Sequence, residues 1–266
     1  MSSQYSTNNV YSQDGVLLIA KGQELTQDIL ERLHSRKTVE KDEIIPANKS
    51  TTISSCVHDI KKRFHAIDQR IIKKSSALLG EVVFCSRSSS LWLPVHALSN
   101  YVDWLYAHSI DVSLIALLIA IASGFSDEDQ KDLCLGALLH DVGKLLVPKN
   151  IIEKPDKLTP QEMALVRQHC ELGYGIVKDL GLSKNCTDII LMHHERLDGS
   201  GYPHGLTENE ISEYAKIVMI ADVIDAMTSY RPYKSAQDLQ AGIQEMQKDG
   251  HKFDQKYLDL LSKYLT

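Results

Sequence analysis

A histidine and an aspartate stand side by side, His140-Asp141, inside a run that is otherwise largely apolar from Leu133 to Leu146. No other feature limits the fold so sharply. Burying both side chains without partners costs several kcal/mol, so whatever forms here must compensate them. A hydrogen-bonded histidine–acid pair does this. A shared divalent metal does it too, because imidazole nitrogen and carboxylate oxygen both ligate first-row metals. The pair alone leaves these two solutions equal.

Helical spacing turns more histidines toward the same interior. Tyr101, Trp104, Leu105, His108, Val112, Ile115 and Ile119 recur on one face, so His108 points into the core. The next helix opens with the capping pattern Ser126-Asp-Glu-Asp129. It carries Leu133, Ala137, His140, Asp141 and Lys144 on one side and Leu135, Leu138 and Leu139 on the other, the mark of a buried helix. Lys144 follows His140 by one turn, near enough to share its site. Thr159-Pro160-Gln161-Glu162 is a capping box with proline at the first helical position. That helix turns Leu165, Val166, His169, Gly173, Ile176 and Val177 inward and stops at Gly181. A helix from Ser183 places Cys186, Ile190, His193 and His194 on one face. It ends in Asp198-Gly-Ser-Gly-Tyr-Pro-His-Gly205, whose glycines let the backbone approach a ligand. A last helix, Tyr214 to Tyr230, buries Val218, Asp222 and Ala226 and is terminated by Arg231-Pro-Tyr-Lys234.

Five inward histidines and two inward aspartates are too many for separately satisfied core residues. Seven nitrogen and oxygen ligands with no cysteine suit two near-octahedral irons or manganeses better than a tetrahedral zinc.

The first 90 residues read differently. A polar tail to about Asn9 precedes two short β-like runs around Asp14-Gly15, a hairpin signal, with a second turn at Lys21-Gly22. Thr26 caps a short helix, Gln27 to Ser35, completing a small α/β lobe over residues 1–50 that is either regulatory or a structural cap. Lys41 to Thr52, with Pro46, reads as a linker. Val57, Ile60, Phe64, Ile67 and Ile71 predict an amphipathic helix from Thr52 to Val83, packed on the core or on a second copy. His58, His65 and His96 lack metal-type spacing and read as ordinary histidines. The domain division expected is therefore 1–50, a connecting segment 51–90 and a helical domain 91–266. With 266 residues and 43% apolar content, one substantial core and a smaller unit are within reach.

Charge and cysteine usage narrow the function. The net charge of −6 argues against nonspecific nucleic-acid binding. Five scattered cysteines without a C-x-x-C pair indicate reduced, intracellular usage. The N-terminus shows no secretory signal, and Val112 to Phe125 falls short of the roughly 20 residues a spanning helix needs. A cytoplasmic protein is expected, with neither membrane nor nucleic-acid polymer as partner.

Three stretches carry a resemblance to a known family. Leu139-His-Asp-Val-Gly-Lys-Leu-Leu-Val-Pro148, His193-His-Glu-Arg-Leu-Asp-Gly-Ser-Gly-Tyr-Pro203 and Ala221-Asp-Val-Ile-Asp-Ala-Met-Thr-Ser-Tyr-Arg-Pro-Tyr-Lys234 together resemble the HD-GYP domain. This is the bacterial cyclic-dinucleotide phosphodiesterase branch of the HD superfamily. The resemblance covers about Leu91 to Lys234 and implies a mainly α, HD-type helical bundle. It carries the family's metal ligands onto His108, His140, Asp141, His169, His193, His194 and Asp222, with Asp141 the metal-bridging carboxylate. It carries substrate contacts onto Lys144, Tyr202, Arg231 and Lys234. Lys144 is also a catalytic candidate, one of two options for the leaving-group acid beside a metal-bound water.

One position departs from the family. Some members bind a third metal through a glutamate one turn before the first histidine, and here that residue is Trp104. Asp103 lies about 100° away round the helix, so the resemblance implies two metals, iron first and manganese second. Two metals roughly 3.5–4 Å apart clamp a phosphodiester and activate water for in-line attack. The implied activity is hydrolysis of cyclic di-GMP to linear pGpG and onward to GMP, in bacterial second-messenger signalling. The alternatives are the same chemistry on 3′,3′-cyclic GMP-AMP, or a non-catalytic module that binds a cyclic dinucleotide or a GGDEF-domain partner. A homodimer is a further expectation.

Overall fold

The computed structural model describes residues 10–12, 17–19, 38–39, 47–64, 67–86, 89–229 and 238–263. Three short antiparallel strands come first: β1 (Val10–Ser12), β2 (Leu17–Ile19) and β3 (Thr38–Val39), in the order β2-β1-β3. β1 and β2 pair across 13–16 with Val10 opposite Ile19, as the Asp14-Gly15 hairpin signal predicts. The expected turn at Lys21-Gly22 and the helix Gln27 to Ser35 lie outside the described residues.

Among the described residues every element after the strands is a helix, and the expected linker is shorter than its composition suggests. Helix α1 begins at Ala47, directly after Pro46, and runs to Arg63. The single helix expected over 52–83 is two, with α2 spanning Gln69–Ser86. Asp68 makes the break: its carboxylate accepts the Arg70 amide at 2.8 Å, a capping bond that starts a new helix. Both helices lie on the core. Ile60, Phe64, Ile67, Ile72 and Leu79 are buried there, and Arg63 reaches the last turn of a helix more than 160 residues further on.

Helix α3 (Trp92–Tyr101) ends at the extended residue Val102, so Tyr101 lies on a different helix from His108. The core helix α4 (Asp103–Ala122) then buries every residue from Ser109 to Ala120. Trp104–Ala122 is long and apolar enough to cross a membrane by length and composition, contrary to the shorter stretch counted from sequence. However, 83% of its most apolar window is buried inside the protein. An all-round apolar helix is what the centre of a helical bundle requires.

Around α4 pack α1, α2, α5 (Asp127–Leu139) and α10 (Glu213–Thr228). Ser126 caps α5 by accepting the Asp129 amide. The sequence reads α5 on through Lys144, but it stops at Leu139. Asp141 takes φ −96, ψ 6, and a 3-10 turn, Val142–Leu146, follows. After α6 (Lys149–Ile152) the capping box at Thr159 and Glu162 forms with both bonds present. Its helix divides at Gln168 into α7 (Pro160–Arg167) and α8 (His169–Val177). That bend leaves Leu165 exposed instead of inward, while Val166 still packs against the core and His169, Gly173 and Val177 are buried. Helix α9 (Lys184–Met192), capped by Ser183, leads to the glycine-rich loop. Helices α11 (Leu239–Lys248) and α12 (Gln255–Ser262) close the far side. Of the other histidines, His58 is exposed, His96 is a buried ring stacked on Trp92, and His65 lies outside the described residues.

Candidate metal centre

All seven residues singled out as metal ligands meet in one buried cluster. His108 comes from the first turns of α4, His140 and Asp141 from the end of α5, and His169 from the start of α8. His193 and His194 follow α9, and Asp222 lies in mid α10. The end of α5 can approach α8 because residue 143 is glycine. A Cβ there would sit 1.9 Å from the His169 carbonyl oxygen and 2.5 Å from the Gly173 nitrogen.

The rings are oriented from behind. His140 Nδ1 donates to the Ala137 carbonyl at 2.6 Å, and His169 Nδ1 to the Val166 carbonyl at 2.6 Å. His193 Nδ1 donates to the Ile190 carbonyl at 3.1 Å, and His108 Nδ1 to Asp225 Oδ2 at 2.6 Å. An imidazole held by its Nδ1–H presents the Nε2 lone pair forward, the arrangement second-shell partners impose on metal-ligating histidines. Four lone pairs therefore converge. His169 Nε2 and His193 Nε2 stand 3.1 Å apart, and His108 Nε2 stands 3.1 Å from Asp222 Oδ1. Acceptors facing each other at such distances repel unless a proton or a cation lies between them. His140 Nε2 and Asp141 Oδ1 are buried with no hydrogen-bond partner, which points the same way.

Protonation states suit cation binding. Burial pushes the His169 imidazole down to about 4 and those of His193 and His194 well below the usual histidine range, so their lone pairs are free at neutral pH. Burial alone would raise Asp141, but the Lys144 ammonium, 2.5 Å from its Oδ2, together with His140 and His169 more than offsets this and holds the carboxyl well below the usual range. The ligand atoms fall into two groups, Asp141 with His169, His193 and His194, and His108 with His140 and Asp222. Within each group they lie within 4.8 Å of one another. Asp141 faces both groups. Its Oδ1 is 3.3 Å from His169 Nε2 and 3.9 Å from His193 Nε2, while its Oδ2 is 3.4 Å from His140 Nε2 and 3.8 Å from His108 Nε2. The donor set fits a metal.

Two of the four residues singled out as substrate contacts stand at this cluster. Lys144 is bonded to Asp141, and Tyr202 stacks on His194 with ring centroids 4.7 Å apart. The Arg167 guanidinium lies over the other part of that tyrosine's environment, 5.0 Å from its ring centroid. Arg231 and Lys234 lie outside the described residues, as does the side chain of Asp103. Trp104 does not join the metal cluster. It lines a cavity of about 350 Å³ with Lys144, Ile152, Lys154, Lys157 and Val166.

Sequence reasoning missed the residues that support these. Glu195 is fully buried and accepts the amides of His204 at 2.8 Å and Leu206 at 2.9 Å, tying the glycine-rich loop to the end of α9. The loop closes because residue 201 is glycine; a Cβ there would meet Glu195 Cα at 2.3 Å. Asp225 orients His108, as described. Both acids lie within the quoted motifs, three residues or fewer from a ligand, and that proximity was the available signal.

Comparison with known proteins agrees with this picture. The HD domain family model matches residues 93–257. A cyclic di-GMP phosphodiesterase of Pseudomonas aeruginosa, PA4108, is 39% identical over 153 residues, 57% of this chain and 37% of that protein. The cyclic di-GMP phosphodiesterase response regulator RpfG of Xanthomonas campestris is 39% identical over 155 residues, 56% of this chain and 40% of that one. A 3′3′-cGAMP-specific phosphodiesterase of Vibrio cholerae is 38% identical over 144 residues, covering 54% and 31%. The chain thus spans well under half the length of the curated relatives it matches. Among solved structures, Bd1817, an HDG"Y"P protein of Bdellovibrio bacteriovorus, shares the fold with a TM-score of 0.55 at 18% identity, covering 98% of this chain and 95% of that one. The chain belongs to the HD domain family, in its HD-GYP branch.

Proposed function

We propose that this chain is a metal-dependent phosphodiesterase that linearises cyclic di-GMP to pGpG and then to GMP. The observation that carries the reading is the placement of Asp141, one carboxylate oxygen toward each of two ligand groups. Asp141, kept ionised by Lys144 and the neighbouring histidines, would serve both cations as an anionic ligand. Asp141, His169, His193 and His194 would hold one metal, and His108, His140, Asp222 and again Asp141 the other. With Trp104 at the position of the third-metal glutamate, the stoichiometry proposed is two, iron first and manganese second. The metals would supply Lewis-acid charge to the phosphodiester and acidify water for attack.

The chain's own residues do the rest. Lys144, mostly buried beside Asp141, neutralises charge building on the non-bridging oxygens and is the candidate proton donor to the leaving group. Tyr202, in contact with both His194 and Arg167, would offer its ring and hydroxyl to the ligand. Arg231 and Lys234, after α10, take the remaining phosphate and base contacts by family correspondence. The same machinery acts on 3′,3′-cyclic GMP-AMP in the second reading, favoured by the 38% identity to the Vibrio enzyme of that name. Partners proposed from the family resemblance are a GGDEF-domain protein and a second copy of the chain. All five cysteines are free, which supports the cytoplasm as the compartment.

The test combines metal analysis with product analysis. Protein purified without chelator is expected to carry close to two irons or manganeses per chain. It should convert one of the two cyclic dinucleotides to a linear product. Asp141→Asn should abolish turnover and release at least one metal while keeping the helical fold. Three metals per chain, a single tightly held zinc, or an Asp141→Asn protein with full metal content and activity would overturn the reading.

A further inference from the structure

The end of α1 supplies a buried cation to the back of the metal centre, although α1 lies before the first residue of the family match. Arg63 is the last residue of that helix. Its Nη1 donates to Asp225 Oδ1 at 2.9 Å and to Thr228 Oγ1 at 3.0 Å, and its Nη2 donates to Asp111 Oδ2 at 2.6 Å. One guanidinium thus ties α1 to the third turn of α4 and to the last turn of α10, the two helices that carry His108 and Asp222. Burial works against the charge of Arg63, but Asp111 and Asp225 more than offset it.

Asp225 is the link to the metal centre. Its Oδ2 accepts from His108 Nδ1 at 2.6 Å, while its Oδ1 is held by Arg63 and by the Ser229 hydroxyl at 2.5 Å. A carboxylate bonded at both oxygens cannot rotate, so the plane of the His108 ring and the direction of its Nε2 are set by where Arg63 places Asp225. That Nε2 faces Asp222 Oδ1 at 3.1 Å and Asp141 Oδ2 at 3.8 Å. The chain of contacts runs without a gap from α1 through Arg63, Asp225 and His108 to the candidate ligands.

From this geometry we infer that Arg63 is a positioning residue for the metal centre, and that α1 is a working part of the site although it precedes the family domain. The inference rests on the reading of the cluster as metal-binding. It does not depend on which cyclic dinucleotide is cleaved. Charge supports it as well. An Asp225 carboxylate held at both oxygens makes His108 a stronger donor, and Arg63 supplies the positive charge beside that buried anion, which the Ser229 hydroxyl on the same oxygen does not. Arg63 can serve both aspartates because its guanidinium is a planar fork with separate donors. A lysine ammonium carries the same charge on a single nitrogen and lacks that fork.

The experiment measures Mn2+ affinity by calorimetry on the chelator-stripped 266-residue chain. The proteins are wild type, Arg63→Met and Arg63→Lys, with circular dichroism and thermal unfolding of each stripped protein recorded alongside. Arg63→Met is expected to weaken the His108-side Mn2+ by about 10–100-fold, the usual loss when an outer-shell partner is removed. Arg63→Lys, which keeps a cation in the same hole and guards against an unfolded Met variant, is expected to fall between the two. An arginine with a merely structural role would lower the unfolding temperature of the stripped protein yet leave Mn2+ affinity of the folded variants within twofold of wild type, and that result overturns the inference. Wild-type protein that binds no Mn2+ would instead overturn the metal-binding reading, and the inference with it. Tight, Arg63-dependent binding in a protein that cleaves neither cyclic dinucleotide would uphold the inference while sinking the proposed activity.

Discussion

Replacing Gly143 by alanine tests how the site is assembled, and the structure gives the magnitude. The new Cβ would fall 1.9 Å from the His169 carbonyl oxygen, 2.5 Å from the Gly173 nitrogen and 2.8 Å from the His169 carbonyl carbon. Ordinary carbon–oxygen contacts begin at roughly 3.3 Å, so the 3-10 turn and α8 must separate by more than about 1 Å. All three obstacles are main chain, and no rotamer change relieves them. The stability loss should lie near the top of the usual overpacking range, about 3 kcal/mol. The functional loss should be larger than that figure suggests. Asp141 precedes the turn, Lys144 lies within it and His169 opens α8, and a displacement of that size costs roughly 100-fold in rate where reacting groups must align. The assay is urea unfolding, metal content and phosphodiesterase rate for Gly143→Ala, with Gly175→Ala as control. Gly175 lies in the same helix with nothing within 4 Å of its Cβ position, so alanine there should stabilise by about 0.5–1 kcal/mol. A Gly143→Ala protein with metal content and rate within twofold of wild type would refute the claim that this close approach builds the centre.

Two further outcomes follow from the buried acids and bases. Glu195→Gln turns one acceptor into a donor facing an amide, so it should cost about 1–3 kcal/mol and free the glycine-rich loop. Metal content should be retained and KM raised as Tyr202 loses its register; unchanged KM and unchanged loop protection in hydrogen exchange would count against it. In stripped protein His169 titrates near 4 when folded and near 6.5 when unfolded, so its contribution to stability is complete above 6.5 and is lost as pH falls toward 4. That gap corresponds to about 3 kcal/mol, so urea unfolding at pH 7.5 and pH 4.5 should show a fall that is smaller in His169→Gln. Equal pH dependence in the two proteins would show that His169 is not buried neutral.

What the sequence could reveal follows from what helical spacing encodes. His108, His140, His169, His193 and Asp222 each recur with apolar neighbours at intervals of three and four, and that pattern reports which face of a helix is inward. Inward faces of neighbouring helices meet, so the seven residues converge without any knowledge of the axes. Spacing says nothing about where an axis turns. The breaks at Val102, at Asp141 and at Gln168 lie inside uninterrupted apolar patterns, and each is fixed by a contact from elsewhere or by a local backbone choice. Leu165 was misplaced for this reason alone. Gly143 looks like any helix-breaking glycine until α8 is laid against it. The supporting shell was harder still, because its members act on a ring or a loop and not on an apolar face. Arg63 and Asp225 are 162 residues apart, and on its own helix Arg63 is one of three consecutive basic residues closing the last turn. Nothing local separates it from Lys61 and Lys62, both exposed; only the two carboxylates waiting at the far side of the helix do. The ligands of such a centre are written in periodicity, whereas the groups that aim them are written only in the tertiary fold.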